Sequence, residues 1–314
     1  MTDTLSQYSV LALYSAMAIY AIAFVLFTLD LAKGASDDSA AVGEAKKVAV
    51  VPERRKLARV AMALTVIGFL LQLAATVMRG LAASRVPWAN MYEFAMTGTL
   101  VIVGVFLLVN LKWDMKFLGS FVTGLVLLLL GLAATRYYVE IVPLPPALQS
   151  YWLVIHVFVA TLATGFFALG FALSLMQLLQ GKRESAVAAG EKTRLAFLTR
   201  LPDSVQLENF AYRLIIIGFV LWTFTLIAGA IWAEKAWGRY WGWDTKEVWT
   251  FIIWTIYAGY IHARSTRGWR GSRSAWLAMV GFAAVMFNFT VVNIFFKVSE
   301  RVLLLRGRRH VWLS

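Results

Sequence analysis

Residues 237–249 read Trp-Gly-Arg-Tyr-Trp-Gly-Trp-Asp-Thr-Lys-Glu-Val-Trp, which sets four tryptophans, a tyrosine and two carboxylates in thirteen positions. Each indole offers a flat, polarizable face and one N–H donor. Trp237, Trp241 and Trp243, with Asp244 beside them, are therefore candidates to hold a flat ligand. The same residue types collect at headgroup depth in any membrane protein as an aromatic belt, and the sequence leaves both readings open. The other chemistry-bearing residues are few: three histidines, His156, His262 and His310, and no cysteine. Without cysteine there is no disulfide framework, thiolate metal site, C-x-x-C redox pair or thioether self-attachment of a cofactor. Walker, G-x-G-x-x-G and H-E-x-x-H motifs are also absent from the sequence.

The elements that must position these residues follow from composition. The chain has 314 residues, 60% of them hydrophobic and only 15% charged, with a mean hydropathy of +0.70. This is the composition of a polytopic membrane protein, and it excludes soluble α/β and bundle domains. Apolar runs near 9–32, 57–78, 92–111, 117–134, 152–179, 211–233, 247–263 and 274–296 predict an all-α bundle of about eight transmembrane helices in a single membrane domain, 1–314. Met1–Gln7 holds Asp3 and no basic residue, so the first run reads as a retained helix rather than a signal peptide. Segments 34–50 and 181–208 read as solvated linkers, and 234–246 as a tryptophan-rich loop.

Lysine and arginine set the expected orientation. Connections 33–59, 112–116, 181–213 and 264–273 hold nineteen of the thirty basic residues, whereas 79–91, 135–151 and 234–246 hold six. The positive-inside rule then places both termini and the 234–246 loop outside the cytoplasm, in a multi-pass plasma-membrane protein. The last five basic residues lie in the tail, 297–314, against that rule. The net charge of +13 reflects this bias and attraction to anionic lipid, with no soluble basic domain to bind nucleic acid.

The spans give the histidines different depths. His156 lies four residues into its run, about 6 Å below the outer boundary, and His262 lies fifteen residues after Glu247, roughly 22 Å down the next but one. Ionisable residues inside a membrane are rare and default to functional candidates, the alternative being a neutral imidazole bonded to a neighbouring helix. Imidazole is a common axial ligand of heme iron, and a porphyrin is the flat ligand that an indole platform suits.

The 237–249 run, followed by Trp254-Thr-Ile-Tyr-Ala-Gly-Tyr-Ile-His262, closely resembles the WWD signature of heme-handling proteins. More narrowly the chain resembles the CcsA family, also called ResC or CcsB, of the System II cytochrome c synthase. Pro87-Trp-Ala-Asn90-Met-Tyr92-Glu93 and the Pro146–Val157 segment resemble that family's patterns too, and the likeness covers roughly residues 57–296. It implies a membrane subunit of a cytochrome c heme lyase complex, which passes non-covalent heme b from the cytoplasmic side to the outer face. There, with a ResB-type partner, the vinyl groups are joined to the thiols of a C-x-x-C-H motif in apocytochrome c. On this likeness His156 matches an external ligand to heme iron and His262 a transmembrane one. Trp237, Trp241, Trp243 and Asp244 match the external heme-binding loop.

The sequence departs from the family after Phe296, where a short motif with a second external ligand is expected and only His310 is offered. Fourteen residues of chain reach far enough at about 3.3–3.6 Å each. Two other readings compete. A b-type cytochrome needs two histidines at one depth, and His156 and His262 differ by about 16 Å. A transporter using a Trp cage for an organic cation or lipid-linked sugar, with Asp244 and Glu247 as counter-charges, leaves the histidines without a role.

Overall fold

The computed structural model describes residues 2–41, 56–141, 150–191, 195–266 and 268–292. Eight α-helices run through them: α1 (Thr2–Ala41), α2 (Lys56–Ala83), α3 (Met91–Lys112), α4 (Gly119–Arg136), α5 (Tyr151–Ala188), α6 (Ser204–Trp237), α7 (Thr245–Ser265) and α8 (Ser272–Phe287). Among the described residues there is no strand. A π-helical turn, Asn288–Val292, continues α8. Seven of the eight helices are long and apolar enough to cross a membrane; α7 is not among them, because its Trp, Tyr, His and terminal charges dilute its hydropathy. The chain is an all-α, multi-pass membrane protein. Large apolar side chains such as Leu108, Leu111, Leu128 and Val220 are exposed on its outside, a surface that suits lipid and not water.

The helices extend beyond the apolar runs that announce them. α1 continues to Ala41 and α5 to Ala188, so the first parts of the expected linkers 34–50 and 181–208 are helical. Propagating a helix costs little once it is nucleated, and alanine-rich sequence favours it. At the other end α6 includes Trp237 and stops at Gly238, whose φ of +68° places it in the left-handed region that glycine adopts freely. The tryptophan loop is thus shorter than 234–246, starting after Trp237. Residues 293–314, and with them His310 and the divergent tail, lie outside the described residues.

Buried polar bonds cross-link the bundle, as expected where little water competes. The Tyr20 hydroxyl donates to Gln72 Oε1 at 2.8 Å, and Gln72 Nε2 donates to the Met96 carbonyl at 2.9 Å, tying α1, α2 and α3 together. Phe167 of α5 stacks on Tyr257 of α7 with centroids 3.8 Å apart and planes 5° from parallel. Arg264, near the end of α7, lies 2.9 Å from Glu208 Oε1 of α6, and Glu208 Oε2 accepts the Gly271 N–H that opens α8. That network pins one end of the bundle. The candidate site lies at the other end, where α3, α5 and α7 begin and α6 finishes.

Candidate functional site at the tryptophan end

His156 sits in the second turn of α5, behind a Ser150 cap that accepts the Trp152 N–H. Its Nδ1 is 2.9 Å from the Thr225 carbonyl of α6. A carbonyl only accepts, so Nδ1 carries the proton and Nε2 keeps its lone pair. Fixing the tautomer through a backbone carbonyl is how proteins orient a metal-ligating imidazole. Gly229, one turn further along α6, makes the approach possible: a Cβ there would lie 2.8 Å from His156 Cε1. Trp232 then lies nearly parallel to the imidazole, centroids 6.2 Å apart at 18°. Thr225, Gly229 and Trp232 follow at i, i+4 and i+7, one face of α6.

Two adjoining cavities meet at His156, Thr225 and Thr250. The larger, about 270 Å³, is walled mainly by apolar side chains of α3, α5 and α8, with Trp88 and Asn90 from the segment before α3. The smaller, about 90 Å³, is bordered by Trp232, Trp237, Tyr240, Trp241, Asp244 and Glu247. Trp237 is about half exposed and Tyr240 more so, which makes the site a cleft open on the loop side. Trp232 and Trp237 meet edge to face at 4.7 Å.

The structure therefore brings His156, Trp237, Trp241 and Asp244 together, while Trp243 points away at 76% exposure. Trp243 holds φ +59°, a strained backbone for a bulky residue, and packs edge to face on Trp241 at 6.0 Å. Asp244 is the N-cap of α7: its side chain accepts the Glu247 N–H at 2.8 Å, and Glu247 Oε2 accepts the N–H groups of Gly242 at 2.7 Å and Asp244 at 3.2 Å. This capping box folds the loop back on itself. Trp222 Nε1 donates to the Thr250 carbonyl at 3.1 Å and Trp254 Nε1 to Thr223 Oγ1 at 3.0 Å, holding α7 against α6.

His262 is elsewhere. It sits exposed in the last turn of α7, about 18 Å along the axis from Thr250. It borders neither cavity.

Among the described residues no three His, Cys, Asp or Glu side chains gather, so these residues do not build a bare-ion cage. One imidazole of fixed tautomer between indoles and apolar walls fits iron that arrives inside a flat macrocycle. The sequence singled out His156 and the tryptophans, but not Thr225, Gly229 and Trp232.

Residues 88–298 match the family model described as Cytochrome C assembly protein. The chain is 32% identical over 240 residues to the cytochrome c biogenesis protein CcsA of Trieres chinensis, covering 68% of this chain and 77% of that one. It is 34% identical over 236 residues to CcsA of Heterosigma akashiwo, covering 66% and 73%. Among solved structures it is similar to the cytochrome c heme lyase CcmF, with a TM-score of 0.62 at 18% identity, over 91% of this chain and 46% of the other. The likeness to CcmF is one of fold. The tryptophan motif, whose indoles meet the α5 imidazole in one cleft, together with these relatives, assigns the chain to the cytochrome c assembly protein family, in its CcsA branch.

Proposed function

We propose that this chain is the heme-handling membrane subunit of a cytochrome c synthase, acting with a ResB-type partner. It takes up heme b without covalent attachment, with His262 serving on the cytoplasmic side, and presents it at the outer face to an apocytochrome c. The observation that carries this reading is the His156 imidazole, tied by Nδ1 to the Thr225 carbonyl and flanked by Trp232. Its Nε2 is left to ligate iron.

The chain's own residues bind and orient the substrate. Gly229 lets the imidazole seat against α6, the apolar walls exclude water from one face of the macrocycle, and Trp237 and Trp241 offer flat contacts at the open edge. Each thioether forms when a C-x-x-C-H thiol adds across a vinyl double bond, sulfur bonding to one carbon and the proton going to the other. The absence of cysteine in this chain keeps its own thiols from competing for those vinyl groups.

The organic-cation or lipid-linked sugar transporter is disfavoured by the capping box, which engages Asp244 and Glu247 with the loop backbone instead of presenting them as counter-charges. An absorption spectrum and heme stain of the purified chain separate the two. The heme reading expects a heme Soret band removable by acid acetone; a chain that never carries or binds heme contradicts it.

A further inference from the structure

The two cavities that meet at His156 differ in electrostatic character. The smaller is bordered by the carboxylates of Asp244 and Glu247. The larger contains no carboxylate in its walls but has Lys246, Asn90 and Asn288. Asn90 is the N-cap of α3; its Oδ1 accepts the Glu93 N–H at 2.9 Å, which fixes the amide orientation and directs Nδ2 away from the cap. Among the described residues, Asn90 Nδ2 is buried with no hydrogen-bond partner, and so is Asn288 Oδ1. Buried amide atoms left unmatched beside a cavity are costly unless something polar occupies it.

The segment carrying Asn90 is rigidly held. Glu93 Oε2 accepts the Ala89 N–H at 3.0 Å and lies 2.6 Å from Arg85, and Glu93 Oε1 is 3.1 Å from the buried Arg79. Two arginines thus close on one carboxylate, one turn from Asn90. The starts of α3 and α7 both border this cavity, so two positive helix ends add to the same field.

We infer that Asn90 Nδ2 and Lys246 form the subsite for the carboxylate groups of the macrocycle, so that its opposite, vinyl-bearing edge points to the cleft mouth at Trp237, Tyr240 and Trp241. The proposal deepens the heme reading given above and rests on it. Its consequence is directional: the anionic edge is anchored at the starts of α3 and α7, and the edge that must react lies where an incoming thiol has access.

The test titrates the detergent-purified, heme-depleted full chain with ferric protoporphyrin IX and with its dimethyl ester, following the Soret band. Wild type should bind the free acid at least about tenfold more tightly than the ester, as charged hydrogen bonds imply. Asn90→Ser, which keeps a cap acceptor for the Glu93 N–H, and Lys246→Met should each weaken the free acid several-fold and leave the ester unchanged, narrowing the gap. Unchanged ester affinity also reports an intact fold. Equal wild-type affinity for acid and ester, or equal losses for both in the variants, overturns the subsite while leaving heme binding intact. Wild type that binds neither porphyrin overturns the heme reading and this proposal with it.

Discussion

Gly229 has no room for a methyl group. A Cβ there would meet His156 Cε1 at 2.8 Å and Nδ1 at 2.9 Å, pushing the imidazole off the Thr225 carbonyl. Alanine in place of a mid-helix glycine otherwise favours a helix by about 1 kcal/mol, so Gly229→Ala should leave the fold intact yet weaken heme binding by roughly tenfold, the factor that about 1.4 kcal/mol of misplacement gives. Gly259→Ala, where nothing lies within 4 Å, is the control and should bind as wild type. Heme titration of the two variants decides; equal affinities would mean the imidazole position is irrelevant. Histidine and tryptophan announce themselves by chemistry, whereas Thr225 contributes only a backbone carbonyl and Gly229 only an absence of side chain. The signal that was present is the stripe Thr225, Gly229, Trp232 at helical spacing, running into the tryptophan segment.

Helix ends are where the elements meet the site. The sequence reads Asp244 as part of the tryptophan loop and Glu247 as the first residue of the next apolar run, yet the D-x-x-E spacing is that of a capping box, and the structure uses it as one. The same N-x-x-E spacing at Asn90 and Glu93 caps α3. Glu93 does more: fully buried, it pairs with both Arg79 and Arg85 and holds the Ala89 N–H, fixing the segment that carries Trp88 and Asn90. Removing one partner from such a cluster leaves buried charge uncompensated and costs about 3–5 kcal/mol. Glu93→Gln should therefore lower the thermal unfolding midpoint and the yield of purified chain well beyond an exposed control such as Glu191→Gln. A midpoint equal to the control's would show that the cluster does not hold the segment.

At the scale of the whole molecule, eight apolar runs foretold eight helices, because the membrane demands a long run of apolar residues and little else resembles it. Helix ends were less legible: α1, α5 and α6 run past their apolar stretches, and α7, with its polar and aromatic residues, is the least apolar of the set. Orientation rests on the nineteen-to-six bias of basic residues between alternate connections. Because the chain lacks cysteine, single replacements at exposed Arg239 and Ser185 report sidedness without background. An impermeant thiol reagent on intact cells should label the Arg239→Cys chain and spare the Ser185→Cys chain, and the opposite pattern would invert the topology. The account as a whole turns on His156 as a ligand to heme iron. The most direct measurement is the absorption spectrum of heme-loaded His156→Gly, before and after adding free imidazole. The account predicts loss of the wild-type Soret position and its recovery when imidazole fills the vacated space beside Gly229; a His156→Gly spectrum and heme content identical to wild type without imidazole would contradict it.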